Sequence, residues 1–151
     1  MITFSKENIV DIIDEMMPLL IKHSDEVATY DFFELDIDMD RYKEATDNGI
    51  FQLYTAREED GTLVGYVCYM VTRSIHYMKE IYGVMDVIYV HEDYRHNGTA
   101  FDMMQYAEDS LIDMGVTMLT INMKTWAPFE TLATFLGYDK MEYMYTKYVG
   151  E

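Results

Sequence analysis

The stretch from Val84 to Met114 constrains the fold of this chain more than any other part of the sequence. It opens with the apolar run VMDVIYV, crosses the polar segment HEDYRHNGTA, and continues with apolar residues at helical spacing. Those helical positions are Ala100, Met103, Met104, Ala107, Leu111 and Met114. The stretch therefore predicts a strand, a short loop and a helix in direct succession.

The loop of this stretch predicts a site for an anion. Arg95, Asn97, Gly98 and Thr99 lie where the helix begins, and the first N–H groups of a helix have no partner within it. These N–H groups and the helix dipole attract negative charge, and a glycine lets a phosphate come close to the main chain. A pyrophosphate group is the ligand that this loop favours.

The spacing Arg95-x-x-Gly98-x-Ala100 resembles the (Gln/Arg)-x-x-Gly-x-(Gly/Ala) signature of the GNAT superfamily of N-acyltransferases. The preceding segment, residues 88–95, resembles the family phrase L-x-V-x-P-x-Y-R, with a glutamate in place of the proline. Further on, residues 135–138 resemble the family phrase k-L-G-F. The resemblance covers the second half of the chain and looks closest to small acetyltransferase-like proteins of tailed bacteriophages.

This resemblance implies an α+β fold with a GNAT-like mixed, mostly antiparallel central sheet and helices on both faces. The order of the elements that the sequence predicts leads to the same kind of sheet. Strands are predicted over residues 2–4, 51–57, 63–71, 82–91 and 117–123, with a final strand or two over 138–148, and helices over 9–20, 41–48, 99–114 and 128–136. Ser5 is expected to cap the first helix, and Pro18 to kink or end it. We expect residues 1–151 to form a single domain.

The resemblance also implies where the cosubstrate acetyl-CoA binds. The fourth and fifth strands splay apart, the main chain of the fourth strand holds the pantetheine arm like an added strand, and the loop holds the pyrophosphate. The residues implied for this role are Ile88, Tyr89, Val90, Arg95, His96, Asn97, Gly98, Thr99 and Ala100.

Asp86 is the first candidate for a catalytic base. A lysine-type amine has a pKa of ~10.4 and must lose a proton before it attacks a thioester. Asp86 interrupts an apolar strand, where a carboxylate is costly unless it is paired or functional. The alternative is that Asp86 pairs with Arg73 or His76, or simply faces water on the open side of the sheet.

Two histidines are further candidates for the site. His76 follows the third strand, and a hairpin would bring it back towards Glu80 or Asp86. Its ordinary pKa, near ~6.5, suits proton transfer at neutral pH, although a lone histidine in a loop is often incidental. His96 is expected to contact phosphate rather than the acceptor.

A tyrosine commonly protonates the leaving thiolate in the family, and here the sequence departs from the family pattern. Alignment on Gly137 places Ala133 at that position and Phe135 where a basic residue is usual. Tyr143 or Tyr145 could substitute as a catalytic residue, the thiolate could leave unaided, or both tyrosines could pack in the sheet. An inactive relative that keeps the fold for binding is therefore a second hypothesis.

The chain is strongly acidic, with 28 Asp and Glu against 11 Lys and Arg and a net charge of −17. Direct binding to nucleic acid is disfavoured because phosphate contacts need clustered basic residues, whereas a cationic amine or a basic protein is a favoured partner. Cys68, the only cysteine, lies in an apolar strand and predicts a buried, inert thiol; no metal site is expected. Without an apolar run for a membrane span or a targeting peptide, we expect no membrane association and a cytoplasmic protein, in host cytoplasm if phage-encoded.

Two principal hypotheses follow from these observations. The first is an acetyl-CoA-dependent N-acetyltransferase that acts by direct attack of a primary amine on a cationic acceptor, either a protein lysine or N-terminus or a small amine. The second is a catalytically weak or inactive acidic relative that binds a basic host protein or mimics DNA. The 14 tyrosines and 14 methionines suggest a structural subunit as a third reading, and a homodimer is left open.

Overall fold

The computed structural model describes residues 1–151 and contains one five-stranded sheet. The strands, in spatial as well as chain order, are β1 (Thr3–Glu7), β2 (Phe51–Arg57), β3 (Leu63–Arg73), β4 (Ile81–Val90) and β5 (Met118–Thr120). Strands β1 to β4 pair antiparallel, and β5 pairs parallel to β4. The predicted mixed, mostly antiparallel sheet is confirmed.

Helices cover both faces of this sheet, as predicted. They are α1 (Ile9–Val27), α2 (Met39–Asp47), α3 (Thr99–Asp113) and α4 (Glu130–Phe135). On one face α3 buries Met103, Met104, Ala107 and Leu111 against Tyr54, Tyr69 and Met85. On the other face α1 buries Ile9, Ile12 and Met16 against Leu53, Tyr66 and Tyr89. None of the helices combines the length and hydropathy that crossing a membrane requires.

The start of α1 differs from the sequence prediction. Asn8 caps the helix, because its Oδ1 accepts a hydrogen bond from the Val10 N–H at 3.0 Å. Ser5 lies within β1, with its hydroxyl oxygen 3.1 Å from that of Thr55 on β2. The helix also continues through Pro18 to Val27, since a proline removes one N–H donor while the buried apolar face still holds the helix on the sheet.

The final strand predicted over residues 138–148 is wrong. Residues 138–151 form neither helix nor strand, and β5 offers only a three-residue edge to pair with. The segment is held instead by Tyr148, whose ring lies 5.0 to 5.8 Å from the rings of Tyr30, Phe32 and Phe33. The Tyr148 N–H also donates to the Tyr30 hydroxyl at 3.1 Å.

Candidate active site

The sheet opens at the boundary between β4 and β5. These two strands pair only over Tyr82–Val84 and Met118–Thr120, although β4 continues to Val90. Beyond Val84 the edge of β4 that faces β5 therefore has no strand beside it. We call residues 85–90 the open edge. They lead directly to the loop that begins α3.

Along the open edge, the main-chain N–H and carbonyl groups of successive residues point alternately towards β3 and away from it. Only those that point away from β3 can bond a ligand. The His91 N–H donates to the Val64 carbonyl on β3 at 2.8 Å, which places Tyr89, two residues earlier, in a bonded pair with Tyr66. The N–H and carbonyl groups of Ile88 and Val90 consequently point away from β3. Of the three residues implied to hold a pantetheine arm, Ile88 presents both its N–H and its carbonyl to the opening. Val90 presents its N–H, because its carbonyl accepts a hydrogen bond from the Arg95 Nε at 2.7 Å, and the main chain of Tyr89 is bonded to β3.

Asp86 lies on a β-bulge at the start of the open edge. Cys68 pairs with Val87 and Tyr69 pairs with Met85, so Asp86 has no partner on β3. Met85 packs in the core beneath α3, whereas Val87 packs in the core beneath α1. The extra residue therefore puts Asp86 on the same face as Val87, towards α1 and α2.

The Asp86 carboxylate is unpaired at this position. It makes no ion pair, so the alternative pairing with Arg73 or His76 is wrong. The side chain reaches solvent, yet the protein packed around it removes part of the water shell, and this desolvation raises the pKa of the carboxyl above its ordinary value. The charge of Asp86 also contributes, after burial, to the raised pKa of the Cys68 thiol.

His76 is not brought to Asp86. It lies on the exposed β3–β4 turn, where the Ser74 N–H donates to the Glu80 carbonyl at 3.0 Å. Asp86 follows Ile81 by five strand residues, a separation of roughly 17 Å along β4. The β3–β4 turn therefore leaves His76 at the opposite end of β4 from the open edge.

The loop from His96 to Ala100, here called the anion loop, presents unpaired main-chain donors. The N–H groups of His96, Asn97, Gly98, Ala100 and Phe101 find no acceptor in the protein, and that of Thr99 bonds the Asn97 Oδ1 at 3.2 Å. His96 and Gly98 have left-handed φ angles of 65° and 90°, a backbone form that gathers successive N–H groups into a concave nest. These donors fit a diphosphate.

Arg95 lies immediately before the anion loop, and its guanidinium forms an ion pair with Glu26. Its Nη2 lies 2.9 and 3.0 Å from the two carboxylate oxygens of Glu26, and its Nε donates to the Val90 carbonyl at 2.7 Å. An acid also adjoins the loop, since an Asp102 oxygen lies 3.9 Å from where a Cβ on Gly98 would be. An anion here therefore depends mainly on main-chain N–H groups, and the predicted contact of Arg95 with phosphate stays a prediction.

Tyr143 and Tyr145 do not lie in a strand beside the opening. Their side chains are 78% and 91% exposed in the segment after α4, and Tyr143 contacts the Lys140 ammonium, 5.6 Å from the ring centroid. Ala133 is buried in α4, so no hydroxyl replaces the family tyrosine at that position. A role for either tyrosine in protonating the thiolate stays a prediction.

Sequence reasoning missed an interior pair formed by Tyr138 and Glu108. The Tyr138 hydroxyl donates to the Glu108 Oε1 at 2.5 Å, and burial raises the pKa of both groups. The signal available was the aromatic residue that ends the phrase 135–138. Its partner on α3 lies 30 residues earlier, which no local pattern reveals.

Cys68 is a buried residue of β3. The Cys68 side chain is 2% exposed, as predicted for an inert thiol, and burial raises its pKa. No group of three or more His, Cys, Asp and Glu side chains is arranged to hold a metal ion.

Comparison with known proteins identifies a family model that describes the acetyltransferase (GNAT) family and matches residues 12–132. No curated protein matches the chain in sequence. Solved structures match its fold along almost the whole length.

One such structure is a ribosomal-protein-alanine N-acetyltransferase from Brucella melitensis biovar Abortus 2308, with 19% identity, a TM-score of 0.74, and coverage of 99% of this chain and 100% of that one. A second is an aminoglycoside acetyltransferase from an uncultured soil metagenomic sample, in complex with sisomicin, with 10% identity, a TM-score of 0.79 and coverage of 99% and 97%. A third is a predicted acetyltransferase with acetyl-CoA from Clostridium acetobutylicum, with 14% identity, a TM-score of 0.71 and coverage of 97% and 96%. At these identities the likeness establishes the fold.

Proposed function

This chain belongs to the acetyltransferase (GNAT) family, whose members use acetyl-CoA, and from that premise we propose that it acetylates a primary amine on a cationic acceptor. The acceptor is a protein lysine or N-terminus, or a small amine. In this proposal Asp86 is the base, and the open edge and anion loop bind acetyl-CoA.

The arrangement along β4 is the observation that carries the proposal. Unpaired main-chain donors from His96 to Phe101 lie at one end of the open edge, and the unpaired Asp86 carboxylate lies at the other. Asp86 and Val90 are four residues apart, roughly 13 Å in a strand. A diphosphate at the anion loop would therefore let an extended pantetheine arm reach the thioester end at the bulge.

The proposed chemistry is direct attack of the amine on the thioester carbonyl. Asp86 takes one proton from the acceptor ammonium, and the neutral amine attacks to form a C–N bond. The C–S bond then breaks, and the second proton lost from nitrogen passes to the departing thiolate of coenzyme A. Main-chain N–H groups of the open edge would stabilise the oxyanion between these steps. The raised pKa of Asp86, caused by desolvation, makes its carboxylate a stronger base than an ordinary aspartate.

The charge distribution supports a cationic acceptor. Residues 28–40, which connect α1 to α2 and begin α2, carry only acidic charges, and none of these carboxylates forms an ion pair. They are Asp31, Glu34, Asp36, Asp38 and Asp40. Because Asp86 faces the side of the sheet covered by α1 and α2, this acidic segment would attract an ammonium group towards the base.

Calorimetric titration with acetyl-CoA tests the first part of the proposal. We expect saturable binding, and absence of binding at millimolar acetyl-CoA would contradict the proposal. Transfer is then measured by mass spectrometry with a lysine-rich peptide, a peptide with a free N-terminus and a small polyamine, each against its fully acetylated form as control. Acetylation of at least one amine is the expected result.

The absence of a tyrosine at Ala133 favours a second candidate function. We propose it as the alternative: an acidic member of the family with little or no catalysis that binds a basic protein through the segment from Asp31 to Asp40. Retention of a basic protein on the immobilised chain, lost at high salt and accompanied by no acetyl transfer, would favour this alternative.

A further inference from the structure

An ion pair joins the last turn of α1 to Arg95, the residue immediately before the anion loop. The Glu26 carboxylate receives both of its hydrogen bonds from the Nη2 of Arg95, at 2.9 and 3.0 Å. The two side chains are 44% and 34% exposed, so water screens the pair only in part. The residues are 69 positions apart in sequence, which makes this a tertiary link between the helix and the loop.

The other contacts of Arg95 fix its guanidinium on three sides. Its Nε donates to the Val90 carbonyl at 2.7 Å, and its guanidinium carbon lies 5.3 Å from the centroid of the Tyr89 ring. Tyr89 in turn stacks on His23 of α1, with ring centroids 5.3 Å apart. Glu26 therefore completes a set of contacts that ties the end of β4 to α1.

These contacts lie immediately before the strained part of the anion loop. His96 follows Arg95 and has a φ of 65°, a left-handed conformation that costs a non-glycine residue about 1 kcal/mol or more. Such a conformation persists only where the surrounding structure imposes it. The anchored Arg95 side chain holds the residue on the amino side of His96 and so favours the conformation that exposes the loop N–H groups.

We propose that Glu26 is a positioning residue for acetyl-CoA: it acts through Arg95 to hold the anion loop in the form that binds the diphosphate. The inference rests on the proposed function. Glu26 touches neither the acyl group nor the acceptor in this scheme, so its loss weakens acetyl-CoA binding and leaves the chemical step unchanged.

A competing role for Glu26 would change the affinity for acetyl-CoA in the opposite direction. If Glu26 instead competed with the diphosphate for the Arg95 guanidinium, its removal would free a cation beside the loop and tighten binding. The sign of the change in affinity therefore separates a positioning role from competition.

The chain offers a matched control at the other end of α1. Glu15 pairs with both terminal nitrogens of Arg57, and this ion pair also joins α1 to the sheet. Along the helix Glu15 lies roughly 16 Å from Glu26, and it makes no contact with Arg95. Substitution of Glu15 removes a comparable ion pair from the same helix. It therefore reports the effect of loosening α1 alone.

The test compares Glu26→Gln, Glu26→Asp and Glu15→Gln with the wild-type chain by calorimetric titration with acetyl-CoA and by steady-state kinetics. We expect Glu26→Gln to raise the Kd and KM for acetyl-CoA roughly tenfold, with kcat within about twofold. A roughly tenfold loss is the low end of the range expected when a charged hydrogen bond is lost. Glu26→Asp should restore most of the affinity, and Glu15→Gln should leave it unchanged.

Three results would overturn the inference. Tighter binding by Glu26→Gln would assign competition, equal losses in Glu26→Gln and Glu15→Gln would assign a general loosening of α1, and unchanged affinity would exclude any role. If the wild-type chain itself binds no acetyl-CoA, the proposed function fails and this inference fails with it. Wild-type binding with an unaffected Glu26→Gln variant contradicts this inference alone.

Discussion

The Nδ1 atom of His23 lies 2.8 Å from the hydroxyl oxygen of Tyr66 in the core beneath α1. His23 is 7% exposed, and burial is the main reason why its pKa is lowered from the ordinary value. Glu26 raises this pKa and Arg95 lowers it, while the Tyr89 ring packs against the imidazole. The imidazole is therefore neutral in the folded protein at neutral pH.

This burial predicts a loss of stability in mild acid. Below the ordinary histidine pKa of ~6.5 the unfolded chain takes up a proton that the folded chain does not, so the free energy of unfolding falls as pH decreases. His23→Gln keeps a hydrogen-bonding side chain but cannot titrate in this range. We expect the difference in unfolding temperature between wild type and His23→Gln to narrow from pH 7.5 to pH 5, as measured by circular dichroism.

The subtraction in that experiment removes the contribution of the many carboxylates that both chains share. A difference between the two unfolding temperatures that is constant over the pH range would show that His23 does not carry the effect.

Substitution of Asp86 by Asn is expected to lower kcat by about 10²–10⁴-fold, the usual contribution of a general base. The Kd for acetyl-CoA should be unchanged, because the side chain faces the acceptor side of the open edge. Since the pKa of Asp86 is raised, wild-type activity should fall as pH decreases through that pKa, and this decrease should be absent from the residual activity of the variant. Stopped assays across pH 4–8, with about half-unit steps, would measure both effects.

Asp14→Asn supplies the control for Asp86→Asn, because Asp14 is exposed on α1 and makes no ion pair. A full wild-type kcat in Asp86→Asn would remove Asp86 from the mechanism.

Gly98→Ala is expected to weaken acetyl-CoA binding because the anion loop needs a left-handed residue there. Gly98 has a φ of 90°, and Gly61, in the β2–β3 turn, has a φ of 91°. Alanine at either position is strained by about 1 kcal/mol, and the added Cβ meets no atom closer than 3.9 Å. Both variants should unfold at similarly reduced temperatures, while only Gly98→Ala should raise the Kd for acetyl-CoA.

Equal acetyl-CoA affinity in Gly98→Ala and Gly61→Ala would place the diphosphate away from the anion loop. Calorimetric titration of both variants and thermal unfolding of the same samples give the comparison.

Asp102→Asn is expected to tighten acetyl-CoA binding several-fold at low salt, because it removes a carboxylate beside Gly98. The gain should shrink as salt screens the charge. The variant should also lose about 0.5 kcal/mol of stability, since an acid in the first turn of a helix favours its dipole. Asp113→Asn, at the other end of α3, is the control, and equal effects of the two substitutions would contradict a local repulsion.

The sequence predicted the centre of the fold because its signal there is local. The apolar run from Val84 onwards, the polar loop and the helical spacing after Thr99 each depend on neighbouring residues, and all three elements are confirmed. The first helix cap and the C-terminal segment were harder to predict from the sequence. Tyr143 and Tyr145 do alternate as in a strand, but a strand also requires a free edge to pair with, and the short β5 provides little.

The sequence could identify a candidate site residue where a charged side chain interrupts an apolar run. Asp86 stands out because it is a carboxylate in an apolar run, and the same run gives no sign that an extra residue interrupts the pairing of β3 with β4. The contact of Glu26 with Arg95 was invisible for a similar reason: it depends on where α1 crosses the sheet. Tertiary register, rather than local propensity, decides both features.

The β-bulge at Asp86 adds one residue to β4 that the pairing with β3 does not use. With Asp86 removed from consideration, Met85, Val87, Ile88 and Tyr89 alternate regularly between the two cores, so the strand would satisfy both layers without it. Asp86 is thus an extra residue that strand pairing does not require, and a chain shortened by that single residue should keep its fold and, under the proposed function, lose its general base.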